Sequence, residues 1–180
     1  MVWLKAPDKG YAARNRLVDV KTLESIPDRP GVYELALIEP GVPTRPNGTV
    51  VYKGRAKDLK KRLKQYIASG SQLRALIEWH LGWGWHLAVR TKVCSDDAAA
   101  KYLEAKVLGR TDYPWNTHNN SRAILLFAPR FAPGMKRLQQ FEESAKRFMR
   151  WYKKDHKLKF LRRIELRIAF PPIRSRKKRG

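Results

Sequence analysis

Gly31-Val32-Tyr33-Glu34-Leu35-Ala36-Leu37-Ile38 and, one connection later, Thr49-Val50-Val51-Tyr52-Lys53-Gly54-Arg55-Ala56-Lys57-Asp58-Leu59-Lys60-Lys61-Arg62-Leu63-Lys64-Gln65-Tyr66 decide the fold. Pro30-Gly31 resets the backbone, and the apolar run after it predicts a strand over Val32–Ile38. The connection from Glu39 to Gly48 holds three prolines and two glycines, so it is irregular. Thr49-Val50-Val51-Tyr52 then resumes as a second strand, giving a hairpin with a long loop. Asp58 can cap a helix whose apolar positions Leu59, Leu63, Tyr66 and Ile67 recur at three- and four-residue spacing. Arg62 lies four residues before Tyr66, so both can point to one cleft.

Upstream, Leu23-Glu24-Ser25-Ile26 predicts a helical turn stopped by Pro27. Downstream, Gln72–His80 predicts a short helix and Trp83–Arg90 a third strand. The three tryptophans between Trp79 and Trp85 fit a core or shelf better than a base-stacking surface. Asp96 or Asp97 starts a helix with Ala100, Leu103, Val107 and Leu108 on its apolar side, ending near Gly109. Glu104 stands on that same apolar side.

Beyond Asn120, Ala123–Phe127 reads as a strand or packed loop. Met135–Tyr152 places Leu138, Phe141, Ala145, Phe148, Met149 and Tyr152 on one helix face, with Lys146, Arg147, Arg150 and Lys153 around it. Residues 158–170 alternate as a strand that ends at Pro171-Pro172. The expected organisation is an N-terminal arm over 1–22, a domain over 23–120, and a basic extension over 121–180 with a flexible tail.

The 180 residues carry 39 Lys and Arg against 16 Asp and Glu, a formal charge of +23. Such self-repulsion is easiest to tolerate beside a polyanion, which makes DNA, RNA or a ribonucleoprotein the default partner. The excess is uneven: residues 1–120 hold 20 basic and 12 acidic groups, and residues 121–180 hold 19 and 4. Lys57, Lys60, Lys61 and Lys64, together with Lys53 and Arg55, are candidate phosphate contacts in the first part. Lys146, Arg147, Arg150, Lys153 and the tail residues Arg174, Arg176, Lys177, Lys178 and Arg179 are candidates in the second. Contacts of this kind hold a backbone without reading its sequence. Cys94 is the only cysteine, which excludes an internal disulfide or a cysteine zinc cluster and fits an intracellular setting, cytoplasmic, nucleoid-associated or organellar. No apolar run approaches the roughly 20 residues that span a bilayer, so no membrane partner is expected.

Hydrolysis of a phosphodiester needs an attacking water, a proton acceptor, charge compensation at phosphorus and stabilisation of the leaving oxygen. Glu104 is the best candidate metal ligand, because a carboxylate among Ala, Leu and Val is expensive without a cation or donor. Read alone, it fits a structural salt bridge better. Its oxygen would favour one Mg2+ or Mn2+ ion, with water and phosphate filling the other positions. Arg62 can grip a phosphate with its planar fork, or be one more solvated charge. Tyr33 and Tyr52 could hold water and phosphate between their hydroxyls, given positive charge from Arg55, Arg62 or Lys53; equally, Tyr33 could be a buried strand aromatic. Asn116, after the turn Tyr113-Pro114-Trp115, could aim its amide at the cleft or cap local backbone. His80, His86 and His156 read as structural or solvated, His118 as an accessory base at most, and Cys94 as a small buried side chain.

The ordered set Gly31-Val32-Tyr33, Tyr52-Lys53-Gly54, Arg62, Tyr66, Glu104 and Asn116 resembles the GIY-YIG nuclease superfamily, especially its repair-type and homing-endonuclease branches. The resemblance spans about residues 23 to 120. It implies an α/β fold: a small domain with a central three-stranded, mainly antiparallel sheet flanked by helices, here followed by a basic helix-strand extension. It also implies that Tyr33 and Tyr52 are active-site tyrosines, Arg62 the catalytic arginine, and Glu104 the metal-binding glutamate. Tyr66 matches an aromatic or histidine position, and Asn116 the asparagine after the turn. Lys53 departs from the pattern by putting a charge where an apolar residue is customary. The expected function is a metal-dependent endonuclease acting on DNA. The alternatives are a non-cutting structural RNA-binding protein, such as a ribosome-associated component, and a protein-interaction module.

Overall fold

A computed structural model describes residues 2–5, 23–39, 49–66, 72–108, 113–116, 123–128, 135–155 and 165–169. The elements are β1 (Val2–Lys5), β2 (Gly31–Ile38), β3 (Thr49–Ala56), α1 (Leu59–Gln65), α2 (Gln72–Gly82), β4 (His86–Val93), α3 (Asp97–Leu108), β5 (Ala123–Phe127), α4 (Met135–Asp155) and β6 (Glu165–Ala169). Four strands form one sheet in the order β1-β4-β2-β3, every pair antiparallel. The expected three-stranded sheet is therefore present, with β1 added on the outside of β4. β5 and β6 pair in parallel and, with α4 between them, make a separate β-α-β unit.

β2 is the central strand and is buried along its whole length. Its pairing with β3 shifts register between Leu35 and Ala36, leaving Val51 as the extra residue of a bulge. Directly paired residues share a face. Tyr33, Leu35 and Tyr52 therefore lie together on the side that meets α1 and α2, and Glu34, Lys53 and Arg90 lie on the side that meets α3.

The helix ends follow from local chemistry. Asp58 caps α1 by accepting the backbone N–H of Lys61 at 2.7 Å. Asp96 caps α3 in the same way through the N–H of Ala99, also at 2.7 Å. α2 closes with two reverse bonds, Gly84 N–H to Leu81 O and Trp85 N–H to His80 O, with Gly84 at φ 87°. That closure uses Trp83, Gly84 and Trp85, so the third strand begins at His86 rather than at Trp83.

One hydrophobic core joins the sheet to the extension. Leu35, Leu37, Leu63, Leu76, Ile77 and Trp85 pack in the same cluster as Ile124, Leu126, Phe127, Phe141, Ala145 and Met149. Trp79 and Trp83 stack edge-on against Phe141, at ring centroids 5.1 and 5.0 Å, so these tryptophans join core to extension as the shelf expected of them. His80 is fully buried and pins β5: its ring meets Leu76 O at 2.7 Å through Nδ1, and Nε2 accepts the N–H of Phe127 at 3.1 Å. Only the neutral tautomer with hydrogen on Nδ1 can make both bonds. Burial accordingly lowers its pKa to about 3. Cys94 is half-exposed rather than buried. Among the described residues no helix is long and apolar enough to cross a membrane. The segment 158–164, the Pro171-Pro172 stop, His118 and His156 lie outside the described residues.

Candidate active site

The edge strand β3 and the start of α1 border an open cleft of about 560 Å³, lined by Tyr52, Gly54, Arg55, Ala56, Lys57, Asp58, Lys61, Arg62, Gln65 and Glu104. Residues from both faces of the sheet reach it because β3 is an edge. Tyr52 and Arg62 come from the α1 side, Arg55 and Glu104 from the α3 side, and Gly54 lies between them. A Cβ at Gly54 would sit 2.6 Å from the Tyr33 hydroxyl and 2.8 Å from its Cζ, which only glycine avoids.

Three tyrosines form the floor. Tyr33 and Tyr66 share a short hydrogen bond between their hydroxyls, and the rings of Tyr33, Tyr52 and Tyr66 stand 6.0 to 6.5 Å apart. Tyr33 is 1% exposed and does not line the cleft; Tyr52 is half-buried and does. Burial, then the neighbouring Tyr52 and Tyr66, pushes the Tyr33 pKa well above the ordinary tyrosine value, with Arg62 opposing. Burial likewise raises Tyr66, with Tyr52 adding to the shift. Arg62 lies with its guanidinium carbon 6.0 Å from the Tyr66 ring centre and donates to Gln65 Oε1 at 3.0 Å.

Glu104 is 22% exposed and sits 3.3 Å from Arg55 Nε, while Arg55 Nη1 reaches Asp97 Oδ1 at 2.7 Å. Burial raises the Glu104 pKa, and Arg55, Lys53 and Arg62 oppose that shift. Among the described residues no group of three or more His, Cys, Asp or Glu is placed to hold a metal. A single hard oxygen donor in an open cleft is compatible with Mg2+ or Mn2+, which keep several waters. Arg55, expected as a free phosphate contact, is instead tied across the α3 side by two carboxylates. Asp97 carried no sequence signal beyond its place at a helix start.

Two expectations need correcting. Lys53 cannot reach an external phosphate: it is 4% exposed, and its ammonium donates to Glu34 Oε1 at 3.0 Å. Arg90 binds the other oxygen of Glu34, so the unusual charge in the second motif is part of a buried cross-strand triad. Asn116 does not aim at the cleft either. Its Oδ1 accepts the N–H of Lys53 at 2.9 Å and its Nδ2 donates to Lys53 O at 2.7 Å, a two-point clamp on the edge of β3. The N–H of Trp115 extends the clamp to Val51 O at 2.8 Å.

Of the other phosphate-contact candidates, Lys57 and Lys61 line the cleft. Lys60, Lys61 and Lys64 line an adjoining groove with Asp28, Asp58 and Gln65. Lys146, Arg147 and Arg150 are exposed on α4. The side chain of Lys153 and all of Arg174, Arg176, Lys177, Lys178 and Arg179 lie outside the described residues.

The pattern of GIY-YIG domain-containing proteins matches residues 6–124, about two thirds of the chain. The chain belongs to the GIY-YIG family. Among solved structures, it is similar to the GIY-YIG N-terminal endonuclease domain of UvrC from Thermotoga maritima bound to its catalytic divalent cation, magnesium. That likeness has 26% identity over 50% of this chain and 85% of the other, at a TM-score of 0.34. No curated protein matches. Within this GIY-YIG domain the first motif supplies the buried Tyr33 and the second supplies Tyr52 at the cleft, with Gly54 keeping the two rings in contact.

Proposed function

We propose that this GIY-YIG protein is a divalent-metal-dependent endonuclease that hydrolyses phosphodiester bonds in DNA. The observation that carries the proposal is that Arg62 and Glu104, 42 positions apart in sequence, line one cleft with Tyr52. Glu104 would hold the single Mg2+ or Mn2+, which when bound compensates charge on the scissile phosphate. Arg62 presents two N–H groups to the non-bridging oxygens, and its place beside Tyr66 keeps the fork oriented. Tyr52, which lines the cleft, would orient the attacking water through its hydroxyl. Tyr33 is too deeply buried for that role, and with Tyr66 it positions Tyr52. Arg55 both steadies Glu104 and competes with a cation for it. Lys57 and Lys61 extend a positive rim along which a strand can lie. An intracellular setting, cytoplasmic or nucleoid-associated, fits the single cysteine.

The ion pair between Arg55 and Glu104 favours a second reading, a non-cutting protein that binds RNA as a structural component. The deciding experiment incubates labelled DNA and RNA substrates with the full chain, with and without Mg2+, alongside Glu104→Ala. Metal-dependent cleavage of DNA, lost by at least about 100-fold in Glu104→Ala while salt-sensitive binding persists, is expected. Binding without cutting by the wild type, or a fully active Glu104→Ala, refutes the endonuclease.

A further inference from the structure

We propose that Trp151, set among Arg147, Arg150 and Lys154 on α4, is a stacking platform for an unpaired base of a polynucleotide strand. The platform lies outside the cleft lining and does not depend on catalysis. Residues 147, 150, 151 and 154 follow the spacing i, i+3, i+4, i+7 and form one exposed stripe. The opposite side of the helix is anchored, because Phe141, Ala145, Met149 and Tyr152 are all buried. The stripe is therefore held in place.

Trp151 is 48% exposed, whereas Trp85 and Trp115 are 1% and 3% exposed and Trp79 and Trp83 are partly buried. Its ring stands 5.7 Å from Phe148, which in turn packs on Trp79 at 5.5 Å and Tyr152 at 5.5 Å. The indole is thus backed by a fixed aromatic layer while half its surface faces solvent. An aromatic placed this way loses little freedom when it binds, which favours its use as a platform.

The flanking charge selects the partner. On this face the sequence sets Arg147, Arg150 and Lys154 beside Trp151, with Glu143 four residues before Arg147 and Asp155 four residues after Trp151. Cations spaced along a helix face beside an exposed aromatic match a sugar-phosphate backbone carrying a base. In a duplex the base faces are already stacked and hidden. An exposed indole therefore gains most from a single-stranded or unpaired segment, whereas the arginines and lysine grip either form.

The test measures binding of the full chain, without Mg2+, to a labelled single-stranded oligonucleotide and to the matching duplex, in deoxy and ribo versions across a salt series. The variants are Trp151→Ala, Trp151→Tyr and Arg150→Gln, each checked by circular dichroism and thermal melting. Trp151→Ala is expected to weaken single-strand binding roughly 5- to 100-fold with the salt slope unchanged, and duplex binding by less than about 2-fold. Trp151→Tyr should keep most of the affinity. Arg150→Gln should weaken both forms and lower the salt slope by about one. Unchanged single-strand binding in Trp151→Ala, an equal loss for duplex and single strand, or a Tyr variant as weak as the Ala variant would overturn the platform. A cleavage defect in Glu104→Ala bears only on the cleft, so the two proposals fail separately.

Discussion

Removing Glu34 should damage this protein far more than removing Lys53, although the two form one ion pair. The pair sits on directly opposed residues of β2 and β3, with side chains 7% and 5% exposed. Glu34 also holds Arg90, which is 29% exposed, and accepts a hydrogen bond from Tyr113. Glu34→Leu therefore strands a buried ammonium, while Arg90 can turn to water. Stripping one partner from a buried pair costs about 3–5 kcal/mol. In a chain of this size that corresponds to a fall in Tm of roughly 6–20 °C. Lys53→Met leaves the carboxylate with Arg90 and Tyr113, and the thioether replaces most of the buried aliphatic stem; its expected cost is under about 2 kcal/mol. The double variant should recover at least about 1 kcal/mol over Glu34→Leu, since no ammonium remains to be stranded. Thermal and urea unfolding of the three variants at pH 7 read these differences directly. If Lys53→Met is as unstable as Glu34→Leu, or the double variant recovers nothing, the buried-triad account is wrong.

Tyr52→Phe should reduce metal-dependent cleavage by about 10²–10⁴, whereas Tyr33→Phe should stay within about tenfold of wild type and lose about 1 kcal/mol of stability; the opposite ranking in single-turnover rates would refute the assignment of Tyr52 to the water. Asn116→Ala removes both bonds to the backbone of Lys53 and should lower stability by about 1–3 kcal/mol and speed amide exchange at Lys53. An Asn116→Ala protein with normal exchange there and no cleavage would make the amide catalytic instead. His80 must stay neutral to hold Leu76 and Phe127, and its folded pKa of about 3 lies below the unfolded value of about 6.5. Its contribution is therefore full above about pH 6.5 and is lost at about 1.4 kcal/mol per pH unit as pH falls toward 3; His80→Gln, less stable at pH 7, should lack that share of the slope in urea titrations across pH.

The parts of the fold that depend on local chemistry were legible in the sequence. Asp58 announces one helix start and the pair Asp96-Asp97 another, because a side-chain oxygen satisfies a free N–H wherever the rest of the chain lies; the structure gives the second cap to Asp96. The face of α4 shows through the spacing of Phe141, Ala145, Met149 and Tyr152. What stayed hidden depends on which strand lies beside which. β1 has four residues and no pattern of its own, and its pairing with β4 is visible only in the assembled sheet. Lys53 and Asn116 are ambiguous in sequence for one reason: each is a polar residue next to a motif, and sequence alone does not say which way it faces. The pairing of Glu34 with Lys53 and the clamp from Asn116 are contacts between residues 19 and 63 positions apart. Trp151 is hard to single out in sequence because it sits beside the apolar stripe of α4, and its 48% exposure shows only in the folded chain.

The edge position of β3 explains why these features occur together. An unpaired edge exposes backbone donors and acceptors and invites pairing with another strand. Here the outward groups of Val51 and Lys53 are taken by Trp115 and Asn116, which closes the first half of the edge. The second half, Gly54 to Ala56, turns into the cleft, where Lys57, Lys61 and Arg62 set a positive rim and Arg55 is paired with Asp97 and Glu104. A strand running along this half meets guanidinium groups before it meets backbone, so electrostatics favours a polyanion there over a second β-strand. The same edge lets Tyr52 and Glu104 approach from opposite faces of the sheet, an approach that a central strand would block. The site thus needs an edge strand, and the edge strand needs the clamp, which gives Asn116 a purpose close to the chemistry without placing its amide in it.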